Sequence, residues 1–286
     1  MISIVGIGNA ASNIAEMFKE TNNYDVYCLN SSVKRSSKRN FKLKSFDNPE
    51  EYETNIPNLK KFFSEVKERV QVIVVGASYS SNYTLGILEQ ISDKKIDLFY
   101  IMPDTELMTG NRKLINNAVF GVLQEYGRSG VFDSFTIISN LEIEKTLDSV
   151  PVKSYYETIN KTIFSVMHYI NFFNHAEPEI GMVSRPLEMN RIRSFGALNP
   201  KNLEEKWFFE LDNPRDVCYY LCINNETLET DGTLHRRIVD IIKNKPMNSY
   251  KRISYAIYET PHNDFGFCVA HTNVVQKTLD KIDQVS

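Results

Sequence analysis

The first thirty residues limit the fold more than any other part of the chain. Ile2-Ser-Ile-Val-Gly-Ile-Gly-Asn-Ala-Ala-Ser-Asn-Ile14 reads as a buried strand that passes through a glycine turn into a helix, and Tyr24-Asp-Val-Tyr-Cys-Leu-Asn-Ser-Ser32 follows as a second strand. Gly6 and Gly8 supply bare backbone and access to positive φ, and the unpaired N–H groups opening the next helix favour an anion. A nucleotide-type phosphate cradle fits this unit, and so does a plain corner between strand and helix.

The pattern then repeats. A third strand is expected over Phe41 to Ser45, and Leu59, Phe62, Phe63 and Val66 predict a helix over Asn58 to Arg69. Val70 to Gly76, Ile96 to Pro103 and Phe132 to Asn140 are continuous apolar runs, separated by helices expected over Tyr83 to Ile91 and Asn111 to about Tyr126. Apolar strands alternating with helices make a parallel sheet covered on both faces. Ligands of such sheets bind beyond the carboxyl ends of the strands, where Gly6 to Ser12, Asn30, Ala77 to Ser81 and Pro103 to Asn111 converge.

The second half changes character. Tyr155 to Phe173 predicts a long helix with Ile159, Ile163, Val166, Met167, Ile170 and Phe173 on one face, suited to a central connection. Beyond Pro178 strands are expected over Trp207 to Leu211, Val217 to Asn224, Ile253 to Glu259 and Phe265 to Thr272, with a helix over Gly232 to Asn244. The expected fold class is α/β, with a parallel-sheet Rossmann-like nucleotide-binding domain (1–153), a central helix (154–176) and a smaller α+β C-terminal domain (177–286).

Composition excludes several classes. The net charge of −3 argues against nucleic acid as a direct ligand, and Lys34, Arg35, Lys38, Arg39, Lys42 and Lys44 read as a solvated loop and edge strand. Cys28, Cys218, Cys222 and Cys268 lie in apolar runs without zinc-ligand spacing, which points to reduced core thiols and no metal. No window reaches the ~20 apolar residues of a membrane span, and a cytoplasmic protein is expected, in the host cytoplasm if the chain is viral. His168, His175, His235, His262 and His271 are scattered and read as surface or helix-cap residues. There is no Gly-x-Ser-x-Gly elbow, no Walker lysine loop and no paired metal-binding acids, so no catalytic constellation supports an enzyme.

The order of elements resembles the tubulin and FtsZ superfamily of cytoskeletal GTPases over nearly the whole chain. Gly8-Asn-Ala-Ala is similar to the end of that family's first glycine loop, and Cys28-Leu-Asn-Ser-Ser32 to its Ile-Asn-Thr-Asp loop. Met108-Thr-Gly-Asn-Arg-Lys113 resembles the segment opening the family's next helix, Ile137-Ile-Ser-Asn-Leu141 resembles Ile-Pro-Asn-Asp-Arg, and Glu179 to Arg185 resembles the loop after the central helix. The resemblance implies GTP or GDP at the rim, with Gly6, Gly8, Asn9, Asn30, Ser78, Ser80, Ser81, Lys113, Tyr156 and Asn160 as candidate contacts. It also implies longitudinal self-association, with Ser184, Arg185 and Glu188 as candidate subunit contacts.

Departures from the family point to a reduced pocket. The glycine-rich phosphate loop is replaced by Gly76-Ala-Ser-Tyr-Ser-Ser-Asn-Tyr-Thr84, where Tyr79 and Asn82 obstruct a phosphate and the serines suit either phosphate binding or helix capping. The aspartate that reads guanine is replaced by Lys161, which donates and cannot accept. Ser184 and Pro186 stand where the family's hydrolytic polar pair lies, leaving Glu188 as the one candidate catalytic carboxylate. The expected function is therefore a self-assembling cytoskeletal or scaffolding protein, phage- or plasmid-borne versions included, without efficient GTP hydrolysis. Its expected partners are copies of itself and an unidentified protein. Two alternatives stay open: an active GTP-hydrolysing filament protein, and a Rossmann-like dinucleotide enzyme. The second lacks the acidic ribose ligand, which Asn30, Ser31 and Ser32 replace.

Overall fold

The computed structural model describes residues 1–286 except 105–107, 109, 110, 148, 247–250 and 278–286; at 49, 111, 112 and 115 the backbone alone is described. Apolar runs in the first half form β1 (Ile2–Ile7), β2 (Tyr24–Asn30), β3 (Asn40–Lys42), β4 (Arg69–Val75), β5 (Lys95–Met102) and β6 (Ser134–Ser139). Between them lie α1 (Asn9–Met17), α2 (Pro49–Thr54), α3 (Thr84–Glu89) and α4 (Asn111–Ser129), and α5 (Asn140–Thr146) follows. The long helix α6 spans Tyr155–Phe173. Beyond it come β7 (Ile180–Met182), β8 (Ile192–Leu198), β9 (Glu205–Trp207), β10 (Asp216–Asn224), α7 (Asn225–Thr230), α8 (Leu234–Asn244), β11 (Arg252–Thr260) and β12 (Phe265–Thr272).

The strands form one twelve-stranded sheet in the order β3-β2-β1-β4-β5-β6-β8-β12-β10-β11-β7, with β9 paired to β8 off this path. The first six are parallel. β8 joins the halves: it runs parallel to β6 through Phe135↔Ile192 and Thr136↔Arg193, and antiparallel to β12 on its other side. Each face carries its own core. One buries residues of α2, α3, α4 and α8, among them Tyr52, Ile87, Phe120 and Ile238; the other buries α1, α5 and α6 through Ile14, Ile143 and Ile163. All six apolar residues expected on the inner stripe of α6 are buried. Their i, i+4, i+7 spacing is what allows one helix to lie along the sheet.

Two expected elements are corrected. Residues 60–65 form successive turns instead of a helix, although Leu59, Phe63 and Val66 are buried at helical spacing. Gln90 pins the segment by accepting from the Leu59 amide at 2.7 Å and donating to Pro57 O at 2.9 Å. The strand expected over Trp207 to Leu211 is β9, which ends at Trp207, after which Phe208 and Phe209 turn into the two cores.

α6 begins where Tyr155 donates to Glu144 of α5, beyond the end of β6, and finishes where Asn171 pairs with Gln71 near the start of β4. It therefore runs against the parallel strands. Its 19 residues separate the two edges of the sheet by about 28 Å.

Candidate functional site

The rim at the carboxyl ends of β1, β2 and β4 brings together Gly6, Gly8, Asn9, Asn30, Ser78, Ser80 and Ser81. Gly6 is required by packing: a Cβ there would lie 2.7 Å from Ala11 O and 2.8 Å from Ser12 Cα, so only glycine lets α1 leave the strand this tightly. Gly8 has φ +96° and opens α1 with no side chain capping its first amides. Asn9 follows, exposed, its Oδ1 accepting from Ser31 Oγ at 3.5 Å. Asn30 is committed internally. Its Nδ2 donates to Ser12 Oγ at 3.0 Å, and its Oδ1 accepts from the amides of Ser32 and Val33, each at 3.1 Å.

The loop after β4 closes on itself and on the first loop. Ser78 Oγ donates to Val75 O at 2.9 Å and accepts from the Ser81 amide at 3.2 Å, while Ser81 Oγ donates to Ser78 O at 2.6 Å. These bonds cap the 3-10 turn at Tyr79–Tyr83 that leads into α3. A Cβ on Gly8 would sit 3.1 Å from Ser80 Cβ, so the two loops are in contact. Beneath them Tyr100 donates to Asn116 Oδ1 at 2.7 Å, and burial raises the Tyr100 phenol pKa so that it stays protonated.

Lys113 lies in the first turn of α4, partly buried, and the expected rim segment Pro103 to Asn111 falls partly outside the described residues. Tyr156 is 73% exposed at the start of α6, its ring edge-on to Tyr155, and Asn160 is partly buried one turn later. Lys161 pairs with Glu157 at 2.6 Å on the outer side of the helix. Burial and the Glu144 carboxylate push the Tyr155 phenol up to about 12.

Ser184, Arg185 and Glu188 lie at the opposite edge. They line a cleft of about 860 Å³ between the end of α6, the loop after it and the starting ends of β4, β5 and β6. Asp216 fixes this loop: it accepts from Asn190 Nδ2 at 2.7 Å, from the Leu187 amide at 3.3 Å and from Arg252 Nε at 2.7 Å. The Ser184 amide donates to Ser254 Oγ at 3.0 Å.

Neither a protein-family model nor a curated protein matches the sequence. Solved structures do. An FtsZ dimer from M. jannaschii matches with TM-score 0.68 and 11% identity over 95% of this chain and 88% of that one. CetZ from Methanosaeta thermophila matches with TM-score 0.64 and 12% identity over 96% and 86%. A GTPγS-form protofilament of TubZ from Bacillus thuringiensis serovar israelensis matches with TM-score 0.69 and 11% identity over 96% and 87%. The chain has the tubulin/FtsZ fold. At this identity the tubulin-like likeness is one of backbone, and the side chains of both edges have to be read on their own chemistry.

Two polar residues of the cleft escape sequence reasoning. Arg193 belongs to β8, a strand that was not expected, and an arginine within the run Ile192 to Leu198 is the one local signal for it. His271 is buried in β12, contrary to its expected place at the surface. Burial and the Arg193 guanidinium beside it push its imidazole down to about 3. Among the described residues no group of three or more His, Cys, Asp or Glu is placed to hold a metal, and no helix is long and apolar enough to cross a membrane.

Proposed function

We propose that this chain is a tubulin-like cytoskeletal protein of the cytoplasm that assembles head to tail, binds guanine nucleotide weakly or not at all, and hydrolyses GTP inefficiently. The observation that carries this reading is end-to-end likeness: 96% of the chain superposes on 87% of a TubZ whose structure is a protofilament. The distribution of exposed apolar side chains supports it. Tyr79, Val152 and Tyr156 are exposed beyond the rim, and Met182, Leu187 and Met189 on the loop at the other edge. Two different apolar ends favour a heterologous contact, which propagates unless it closes into a ring.

The reduced pocket rests on the rim hydrogen bonds. Hydroxyls of Ser78 and Ser81 that cap their own turn are unavailable to a phosphate, and Ser80 occupies the space over Gly8. Inefficient hydrolysis rests on the loop after α6, where Glu188 is the one carboxylate between Gly181 and Asn190. One observation favours the second reading, an active GTP-binding filament protein: the uncapped start of α1 at Gly8 keeps backbone amides available for an anion.

Titration calorimetry with GTP and GDP on nucleotide-stripped protein, with pelleting of the same samples, separates the two. The proposal expects concentration-dependent pelleting without nucleotide and no saturable heat. Saturable GTP binding that promotes pelleting with release of phosphate would replace it with the active GTPase, and absence of pelleting under all conditions would end the assembly reading.

A further inference from the structure

The two flanks of the sheet carry opposite charge. At the β3 flank six cations, Lys34, Arg35, Lys38, Arg39, Lys42 and Lys44, fall between Ser31 and Phe46 with no acid among them. Lys38 pairs with Glu65 at 2.7 Å and Arg39 with Asp25 at 2.9 Å. Lys34, Arg35, Lys42 and Lys44 are exposed, and among the described residues no carboxylate lies within ion-pair distance of them. Serines set the loop that carries these cations: Ser36 Oγ accepts from the Lys42 amide at 2.9 Å, Ser37 Oγ accepts from the Asn40 amide at 3.2 Å, and the Ser37 amide donates to Asn40 O at 2.7 Å. Those bonds use up the outward amides of β3, so this flank is closed to strand addition and offers its charge alone.

The other flank is the reverse. There is no Lys or Arg between Val217 and Leu234 or between Ile253 and Gln276, and Glu226, Glu229, Asp231, Glu259 and Asp264 fall in those stretches. Asn224, paired in register with Thr260, knits the two stretches together. Its amide donates to Asp264 Oδ1 at 2.8 Å, its Nδ2 donates to His262 O at 3.1 Å, and its Oδ1 caps α7 by accepting from the Glu226 amide at 2.9 Å. Arg237 reaches Asp231 at 3.0 Å, and among the described residues no cation lies within ion-pair distance of Glu226, Glu229, Glu259 or Asp264.

Within one chain the two sets of charge are out of reach of each other. β3 and β11 stand nine strand spacings apart, about 40 Å across the sheet, several times the screening length of about 10 Å. Lys42 closes β3 and α7 follows β10, which runs in the direction of β6 and β3, so both sets lie toward the same end of the strands. Neither flank exposes a large apolar side chain. We propose that a second copy of this chain is the partner of each flank: the β3 flank of one copy lies beside the flank of α7 and β11 of the next, cations against carboxylates. This contact goes beyond head-to-tail assembly and does not need it. Exposed ion pairs are individually weak and screened by salt, so the pairing belongs to low ionic strength and gains from repetition wherever filaments lie side by side. It joins two different surfaces, and it therefore propagates sideways unless it closes.

The test is zero-length cross-linking of the full chain with a carbodiimide, which joins a carboxylate to a lysine amine only where the two touch. An equal mixture of 15N-labelled and unlabelled protein is used, so that peptides carrying both isotopes report contacts between copies. Mixed-isotope links from Lys34, Lys42 or Lys44 to Glu226, Glu229 or Glu259 are expected, with a yield that falls about fivefold or more between about 20 mM and about 500 mM salt. Lys34→Glu with Lys42→Glu, and Glu226→Lys with Glu229→Lys, should each melt within about 3 °C of the parent and each cut the yield about fivefold or more. The native links should return in an equal mixture of the two variants, between the intact basic flank of the second and the intact acidic flank of the first. Links confined to single-isotope peptides, links that both variants leave intact, or no recovery in the mixture would each overturn the pairing. So would duplex DNA binding that Lys34→Glu with Lys42→Glu abolishes while mixed-isotope links are absent, which would give the basic flank to nucleic acid. Pelleting of the same samples separates the two kinds of contact: pelleting without links between flanks ends the lateral contact alone, and links between flanks without pelleting end head-to-tail assembly alone.

Discussion

The two ends of α6 use polar side chains in opposite ways. At the rim, Asn30, Ser78, Ser81 and Tyr155 each find partners in the neighbouring backbone or side chains. At the far edge Asp216 ties down the loop, while Lys95, Arg185, Arg191 and Arg193 outnumber the acids facing them. A loop that satisfies its own hydrogen bonds is stable without a ligand; a cleft with surplus cations is not electrostatically complete. In this tubulin-like fold the surplus of positive charge therefore lies at the edge opposite the one where a sheet of this class usually binds.

The strongest way to break that contrast is Asp216→Ala. The carboxylate is nearly fully buried and serves Arg252, Asn190 and the Leu187 amide at once. Losing it leaves those donors unmatched, and stability should fall by about 3 kcal/mol in urea unfolding, somewhat below a fully buried pair because Arg252 reaches solvent. Limited proteolysis should then cut within residues 183–191 and spare the rim loops. Cleavage at the rim instead would mean that the two ends are not independently held.

His271 sharpens the comparison through pH. Its folded pKa of about 3 lies below the ordinary histidine value, so between those two values the unfolded chain binds a proton that the folded chain refuses. Stability should therefore fall as pH drops below about 6.5, by up to ~1.4 kcal/mol per pH unit from this group. His271→Gln should flatten that slope between pH 6 and 4, measured by urea midpoints. An unchanged slope would place the acid sensitivity elsewhere.

The parts of this architecture legible in the sequence are those governed by local periodicity. Strands buried on both faces read as unbroken apolar runs, and the stripe of α6 stands at helical spacing. What failed depends on distant partners. Leu59, Phe63 and Val66 have helical spacing, yet Gln90, 31 residues beyond Leu59, fixes turns there. β8 holds its one arginine against Thr136, 57 residues earlier, which accepts from Arg193 Nε, and the local run does not encode that partner. The rim positions followed from the glycine turn, but how their hydroxyls are used depends on the contact between two loops far apart in sequence.

Ser78→Ala tests the self-satisfied rim. Loss of the cap should lower stability by about 1 kcal/mol. It should leave GTP and GDP titrations as they are in the parent. A change in nucleotide titration with unaltered stability would reassign the hydroxyl from cap to ligand and erase the difference between the two ends.

The smallest effect on stability belongs to the exposed apolar residues, and it carries the most about assembly. Met182 and Leu187 are 78% and 53% exposed, so replacing both with Glu should change unfolding free energy by within about 0.5 kcal/mol. Pelleting should nevertheless be lost, because each added charge would be desolvated in an apolar contact. Tyr156→Glu, at the other end of α6, should do the same. The mixture is the decisive sample. If the contact is heterologous, the intact rim of the first variant meets the intact loop of the second, and one junction forms per pair. Sedimentation should then show a dimer that neither variant forms alone and that cannot grow. If the contact joins like to like, each variant keeps one working surface, so each should dimerise by itself and mixing should add nothing.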